Sequence, residues 1–309
     1  MDEKNQVLIT GAGGFVGRNL TQYLLAKYSV LTFARKDLDL LDPEKVADIF
    51  QYYPKIKTVI HCASDGGASR NNFDEGKIDV VDKNLRMFFN LARCLRSDQR
   101  LIHLGSGAEY DRRHYHAKMP ETYFDSHVPA DAYGFAKYTI SQFIAQRDNM
   151  LCLRIFGLYG QGEDYRYKFI SNAIVKGLLG LPITISQNVI FDYLFIDDFV
   201  ALIEKILASD WPYRHMNITP TQSTDIVSLA QLANEATDNK NGITVLRQGL
   251  NTEYTGDNRR LLEVVGPYDF TSYSAGIGKL TEYYRYVLAD LDLETVRDDP
   301  YLAKCLDRK

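Results

Sequence analysis

A chain of 309 residues with 45% hydrophobic and 25% charged content has the make-up of a globular protein, long enough for one large domain or two interleaved ones. Its net charge of −4 excludes a field that would gather nucleic acid or an anionic membrane, so an anionic ligand must be met by local cations. No apolar run approaches the roughly 20 residues that span a bilayer. The expected protein is therefore cytoplasmic, with no nucleic-acid or membrane partner.

In chain order, Gln6–Thr10 is a short apolar run broken by glycine and predicts a buried strand. Phe15–Lys27 puts Val16, Leu20, Leu24 and Leu25 on one helical face. Ser29–Ala34 returns to strand, and Asp42 with Pro43 marks a helix start. Lys57–Ala63 predicts a strand, Lys77–Arg96 a helix, Arg100–Gly105 a strand, Ala132–Arg147 a helix and Met150–Phe156 a strand. Strands alternating with helices at this pitch indicate an α/β fold with a parallel sheet covered on both faces.

Beyond about residue 160 the alternation loosens. Lys168–Gly180 reads as helix, Ile190–Ile196 as strand-like, Asp197–Ala208 as helix and His215–Ile218 as strand. A helix near Ser223–Thr237, a strand at Ile243–Leu246 and a helix near Ala275–Leu288 follow. The charged tail Thr295–Lys309 carries no readable signal. Four cysteines, Cys62, Cys94, Cys152 and Cys305, show neither CxxC nor zinc spacing. They predict free thiols in a reducing compartment and no metal centre. With its glycine loop reached by residue 11, the chain is expected to carry no export segment.

That loop, Thr10-Gly-Ala-Gly-Gly-Phe-Val-Gly17, places Gly11, Gly14 and Gly17 between a strand and a helix. The first glycine permits a tight turn, the second lets backbone approach a pyrophosphate, and the third lets helix pack on strand. Amides at the helix start, around Phe15 and Val16, would face the phosphates. The second strand runs out at Phe33-Ala-Arg-Lys36 instead of ending on an acid. Arg35 can pair with a 2′-phosphate, a charge-assisted contact of about 1.5–3 kcal/mol. NADP is the favoured cofactor, with NAD as the alternative.

Tyr133 and Lys137 are four apart in a helical segment and share a face. A free tyrosine titrates near 10, and a cation beside it favours the phenolate and lowers that value. Ser106 ends a predicted strand upstream and can donate a hydrogen bond to a substrate oxygen. Glycine loop, serine and Tyr-Lys pair, in that order, predict a nicotinamide-dependent hydride-transfer enzyme.

With TGAGGFVG, Asp39-Leu-Leu-Asp42, His61-Cys-Ala-Ser64, Asn84, GSGAEY, YGFAK, Leu153-Arg-Ile-Phe-Gly-Leu-Tyr-Gly160 and Tyr193-Leu-Phe-Ile-Asp-Asp198, the chain resembles an extended short-chain dehydrogenase/reductase. Its likeness is to the sugar-nucleotide epimerase and dehydratase superfamily, over almost the whole length. The resemblance implies a Rossmann-type doubly wound parallel sheet, residues 1–165 plus about 190–215. A smaller, interleaved substrate-binding domain would comprise about 166–189 and 216–309. It implies Ser106, Tyr133 and Lys137 as the catalytic set, and Asp39 and Leu40 beside the adenine. Cys62, Ala63 and Ser64 would line the cofactor, and Asn84 would organise the site. It implies a nucleoside-diphosphate sugar as substrate and a homodimer formed through the helices Lys77–Arg96 and Ala132–Arg147.

Arg35–Asp42, Asp65-Gly-Gly67 and Asn71-Asn72 are most like GDP-fucose synthase-like 4-ketoreductases. Gly67, Gly107, Ala108, Lys168, Asn172 and Arg259 are the candidate substrate contacts. Dehydratases of the superfamily carry an Asp-Glu pair where this chain has Gly107 and Ala108, which cannot do acid–base work. The cysteine and histidine used for 3,5-epimerisation correspond to Ala108 and Lys168. An arginine common two residues before Tyr193 is Phe191, which leaves Arg259 or Arg260 for the diphosphate. What remains is reduction of a 4-keto-6-deoxy sugar, or 4-epimerisation with tightly held NAD. A non-catalytic cofactor-binding protein is the alternative of another class.

Overall fold

The protein is described here from a computed structural model covering residues 6–66 and 79–307. Gly67 and the Asn71-Asn72 pair lie outside the described residues. Chain order begins β1 (Gln6–Thr10), α1 (Phe15–Leu24), β2 (Ser29–Thr32), α2 (Pro43–Tyr52), β3 (Ile56–His61), α3 (Val80–Ala92), β4 (Arg100–Ser106), α4 (Ala132–Ile144) and β5 (Met150–Ile155). It continues with β6 (Leu158–Tyr159), α5 (Phe169–Leu178), β7 (Ile183–Asn188), β8 (Ile190–Phe191), β9 (Leu194–Phe195), α6 (Ile196–Ala208) and β10 (His215–Ile218). The remainder is β11 (Thr224–Asp225), α7 (Ile226–Thr237), β12 (Ile243–Leu250), α8 (Arg259–Val265), α9 (Tyr273–Val287), α10 (Leu293–Arg297) and α11 (Pro300–Asp307).

Six strands form one parallel sheet in the order β10-β5-β4-β3-β1-β2. The chain moves outward from β1 to β2 and then crosses back to β3. Between β1 and β3 the winding reverses, and a crevice opens at the carboxyl ends of the strands. Strand periodicity divides the core. Leu8, Val59, Leu101 and Met150 face α2, α3 and α4, where Val46, Phe88, Leu91 and Ile140 meet them. Val7, Ile9, Ile102 and Leu151 face the other way, onto a core shared with Leu20 of α1, Ile174 of α5, Phe199 of α6, Leu229 of α7 and Leu280 of α9. The later, looser part of the chain thus shares its core with the sheet.

Local chemistry sets the element ends. Asp42 caps α2 by accepting from the amides of Glu44 and Lys45, with Pro43 in the first turn. Asp225 and Ser272 cap α7 and α9 in the same way. The strand-like run Ile190–Ile196 breaks into β8 and β9 at Asp192. Its buried carboxylate leaves the ladder to accept from Thr219 Oγ1 at 2.5 Å and Gly256 N at 2.9 Å. Strand β7 is absent from the sequence expectation, because Pro182 and the mixed polarity of Ile183–Asn188 hide it. Its ladder to β12 makes it a strand. The central sheet runs through Ile218, slightly past the expected boundary near 215. The charged tail folds as α10 and α11, anchored by buried Val296 and by Asp299, which pairs with buried Lys176 of α5 at 2.6 Å. No described helix is long and apolar enough to cross a membrane.

Candidate active site

The glycine loop crosses the crevice between β1 and β3. Gly11 has φ +68°, and a Cβ there would lie 2.6 Å from the backbone nitrogen of Ala63. A side chain on Gly17 would run into the Gly11 carbonyl. Only glycine satisfies both positions. Gly14 stands at the N-cap of α1 and donates its amide to Gly11 O at 3.0 Å. Phe15 and Val16 open that helix, half-buried against the core. Gln161, in the loop after β6, accepts from Asn19 of α1 at 3.1 Å and brings that loop beside the helix start. The cradle fits a pyrophosphate: open backbone, a helix N-terminus and, in the turn Gly11–Gly14, no side chain beyond the Ala12 methyl.

Thr10 Oγ1 and His61 Nδ1 lie 2.8 Å apart and tie the ends of β1 and β3 together. Beyond β3, Ser64 Oγ donates to Asn84 Oδ1 at 3.1 Å, and Asn84 Nδ2 donates to the carbonyls of Asp65 and Val80, each at 2.7 Å. Asn84 is buried and clamps the loop that follows Cys62 and Ala63. Arg35 is exposed in the turn past β2, and Asp39 Oδ1 accepts from the amide of Leu41. Leu40 packs its side chain into the core and leaves its carbonyl to Asn90. Only its backbone can face an adenine.

Ser106 ends β4, and its hydroxyl accepts from the amide of Ala108 at 3.1 Å. Tyr133 and Lys137 stand on one face of α4, with the Lys137 Nζ 5.7 Å from the Tyr133 ring centre. That ammonium donates to Leu104 O at 2.8 Å and is buried. The Ser106 hydroxyl lies beside the Tyr133 and Tyr254 phenols and acts on both, favouring the ionised form of each. The three expected residues therefore converge at the carboxyl edge of the sheet, the same edge as the glycine cradle.

Electrostatics there differ from expectation. Burial raises the Tyr133 phenol well above its ordinary value, aided by Tyr254 and opposed by Ser106 and Arg112. Burial outweighs the cations, and the cation that lowers Tyr133 is Arg112 on the turn after β4. Burial also brings Lys137 down to about 8, against the pull of Glu109.

The candidate substrate residues are scattered. Gly107 lies under the Tyr254 hydroxyl and the Phe156 ring: a Cβ there would sit 2.7 and 3.0 Å from them. Ala108 is wholly buried beneath the start of α4, so it offers no side-chain contact. Lys168 stands at the N-cap position of α5, with no side-chain cap bond, near Glu163. Asn172 is buried and donates to Tyr165 O at 3.1 Å, which makes it a brace for the Asp164–Lys168 loop. Arg259 extends into solvent and pairs with Asp257 at 2.6 Å. Phe191 stacks on Tyr193 with ring centres 4.5 Å apart, and lies 4.8 Å from Tyr254.

Sequence reasoning missed four groups of this site. Tyr254, Tyr115 and Arg112 surround Ser106 and Tyr133, and loop tyrosines offered no spacing signal. Glu109, the fourth, forms a fully buried pair with Arg154 at 2.6 Å. A signal existed for it: one acid and one base sit inside runs that otherwise read as buried, and buried charges need partners.

Fold and site define a nicotinamide-dependent oxidoreductase on a Rossmann-like sheet. Residues 7–219 match the model of the NAD dependent epimerase/dehydratase family, and the chain belongs to that family. It is similar to the dTDP-4-dehydro-6-deoxyglucose reductase of Escherichia coli, 26% identical over 91% of this chain and 98% of that one. Among solved structures it resembles a GDP-L-fucose synthetase from Naegleria fowleri (TM-score 0.82, 15% identity, 94% and 96% of the two chains). It also resembles the UDP-glucose 4-epimerase of Thermotoga maritima (TM-score 0.79, 20% identity, 92% and 99%). The protein is thus an NAD(P)-dependent enzyme of the reductase and epimerase kind.

Proposed function

We propose that the enzyme reduces the 4-keto group of a nucleoside-diphosphate 6-deoxy sugar, with NADPH as reductant. The observation that carries this reading is the convergence of the Ser106 hydroxyl with two phenols, Tyr133 and Tyr254, where no acid stands at position 107. Dehydration needs a carboxylic acid there, and Tyr254 fills the space an acid would take. Reduction needs only a proton for the new alkoxide.

A bound reduced nicotinamide would supply the hydride. The chain's residues do the rest: Tyr133 gives its phenolic proton to the sugar oxygen, and Ser106 donates a hydrogen bond to the same oxygen. Lys137 offsets the charge left on Tyr133 and binds ribose hydroxyls. A phenol held protonated by burial suits a proton donor better than a base, which supports the reductive direction. Gly11, Gly14, Phe15, Val16 and Gly17 would hold the pyrophosphate. Arg35, exposed at the end of β2, would take the 2′-phosphate, for a preference of roughly 10- to 150-fold. In this reading residues 1–165 with about 190–215 serve the cofactor, about 166–189 and 216–309 the sugar, and α3 with α4 pairs two subunits.

The test is NADPH oxidation with dTDP- and GDP-linked 4-keto-6-deoxy sugars, together with analysis of the nucleotide released on denaturation. Tyr133→Phe should lower kcat by roughly 10²- to 10⁴-fold and leave NADPH binding intact. Undiminished turnover in that variant overturns the mechanism. Stoichiometric NAD in the purified protein overturns the reductase assignment in favour of 4-epimerisation.

A further inference from the structure

The Glu109–Arg154 pair has no part in the mechanism above, yet it lies directly beneath Ser106. Glu109 Oε2 accepts from Arg154 Nε at 2.6 Å, and Oε1 accepts from the backbone amide of Ser106 at 2.9 Å. Gly105 leaves the room for it: a Cβ there would strike the carboxylate and lie 2.5 Å from the Cys152 sulfur. Arg154 also donates to the Tyr110 hydroxyl at 3.0 Å and to Ser141 Oγ at 3.1 Å. Ser141 shares α4 with Tyr133 and Lys137, and Tyr110 donates onward to Asn217 of β10 at 2.7 Å. One ion pair therefore ties together β4, β5, β10 and the helix that carries the Tyr-Lys pair.

A buried ion pair is weak evidence of stabilisation, because packed apolar residues often do as well. This one has a neighbour that needs it. Lys137 is buried and faces Glu109 from the turn after β4, Cys152 of β5, Cys62 beyond β3, His61 of β3 and His103 of β4, with Tyr133 on its own helix. Burial keeps both histidines neutral, His61 near 3 and His103 well below its ordinary value. Burial also keeps Cys62, pushed up to about 12, and Cys152 protonated, and Tyr133 likewise. Of these groups Glu109 is the one held in an ion pair, with Arg154 at 2.6 Å.

We propose that Glu109, locked by Arg154, is a positioning residue of this site: it fixes the backbone under Ser106 and keeps the buried Lys137 ammonium charged. The inference rests on the reading of Ser106, Tyr133 and Lys137 given above. Lys137 donates to Leu104 O and Glu109 accepts from the Ser106 amide, two residues on along β4, and an opposite charge favours the ammonium form of a lysine. Without it, Lys137 discharges at a lower pH.

The experiment follows Lys137 directly, by 13C NMR of lysine-labelled protein, its resonance assigned by its loss in Lys137→Met. Wild type should titrate near pH 8. Glu109→Gln, and the pair-replacing Glu109→Leu/Arg154→Met that leaves no orphaned guanidinium, should titrate at least about one pH unit lower. The alkaline limb of kcat for ketosugar reduction should move by the same amount. Folded variants whose Lys137 titrates as in wild type overturn the proposal. A wild type without ketosugar turnover, but with the Lys137 shift in the variants, overturns the reductase reading and leaves the charge-keeping role standing. A purely architectural pair would change melting temperature and leave the Lys137 titration in place.

Discussion

Position 107 shows how a single missing Cβ defines chemistry. Gly107 has the Tyr254 hydroxyl and the Phe156 ring where its side chain would be, so even alanine must displace the Tyr254 phenol. Gly107→Ala is expected to lose about 1–3 kcal/mol through overpacking and to lower kcat more than it raises KM. Thermal melting and steady-state kinetics measure the two effects. The sequence shows that position 107 cannot be an acid. It does not show what fills the space, because Tyr254 arrives from a distant loop. Leu40 makes a related point: its side chain packs in the core, so a role beside the adenine would fall to its backbone.

At the scale of elements, periodicity and caps made α1 to α4 legible, and short apolar runs between turn residues made β1 to β5 legible. Short elements were not: β6 and β11 are each two residues long, too short for any period. The loop from Gly160 to Lys168 is another case, and its Glu163 is a titratable feature that spacing does not reveal. Burial raises this carboxyl from 4.5 to about 7, against the pull of Lys168 and the hydrogen bond from Ser171 Oγ. Between those values the folded chain binds a proton that the unfolded chain has released. Stability from this group therefore falls as pH rises from about 4.5 to 7 and is flat above. Glu163→Gln keeps an acceptor for Ser171 and cannot ionise. Its melting temperature should exceed that of wild type by a gap that opens across this window and is constant beyond it. Melting scans from pH 4 to 9 check the sign.

Across the whole molecule, an ion pair helps buried Val296 hold the tail. Asp299 accepts from the Leu302 amide at 2.9 Å near the start of α11, and it pairs with Lys176, which is almost wholly buried. Asp299→Ala should cost about 1–3 kcal/mol by orphaning that ammonium, and a second change, Lys176→Met, should recover part of the loss. A thermal double-mutant cycle measures the coupling. The alternation of strands and helices, the glycine spacing and the Ser106, Tyr133 and Lys137 positions were written in the chain, since each depends on neighbours a few residues away. That the loose second half shares the sheet's core, that burial overrides the cations at Tyr133 and that Glu109 meets Arg154 only the tertiary structure decided. Those facts depend on which distant side chains exclude water from one another, and local spacing carries no record of that.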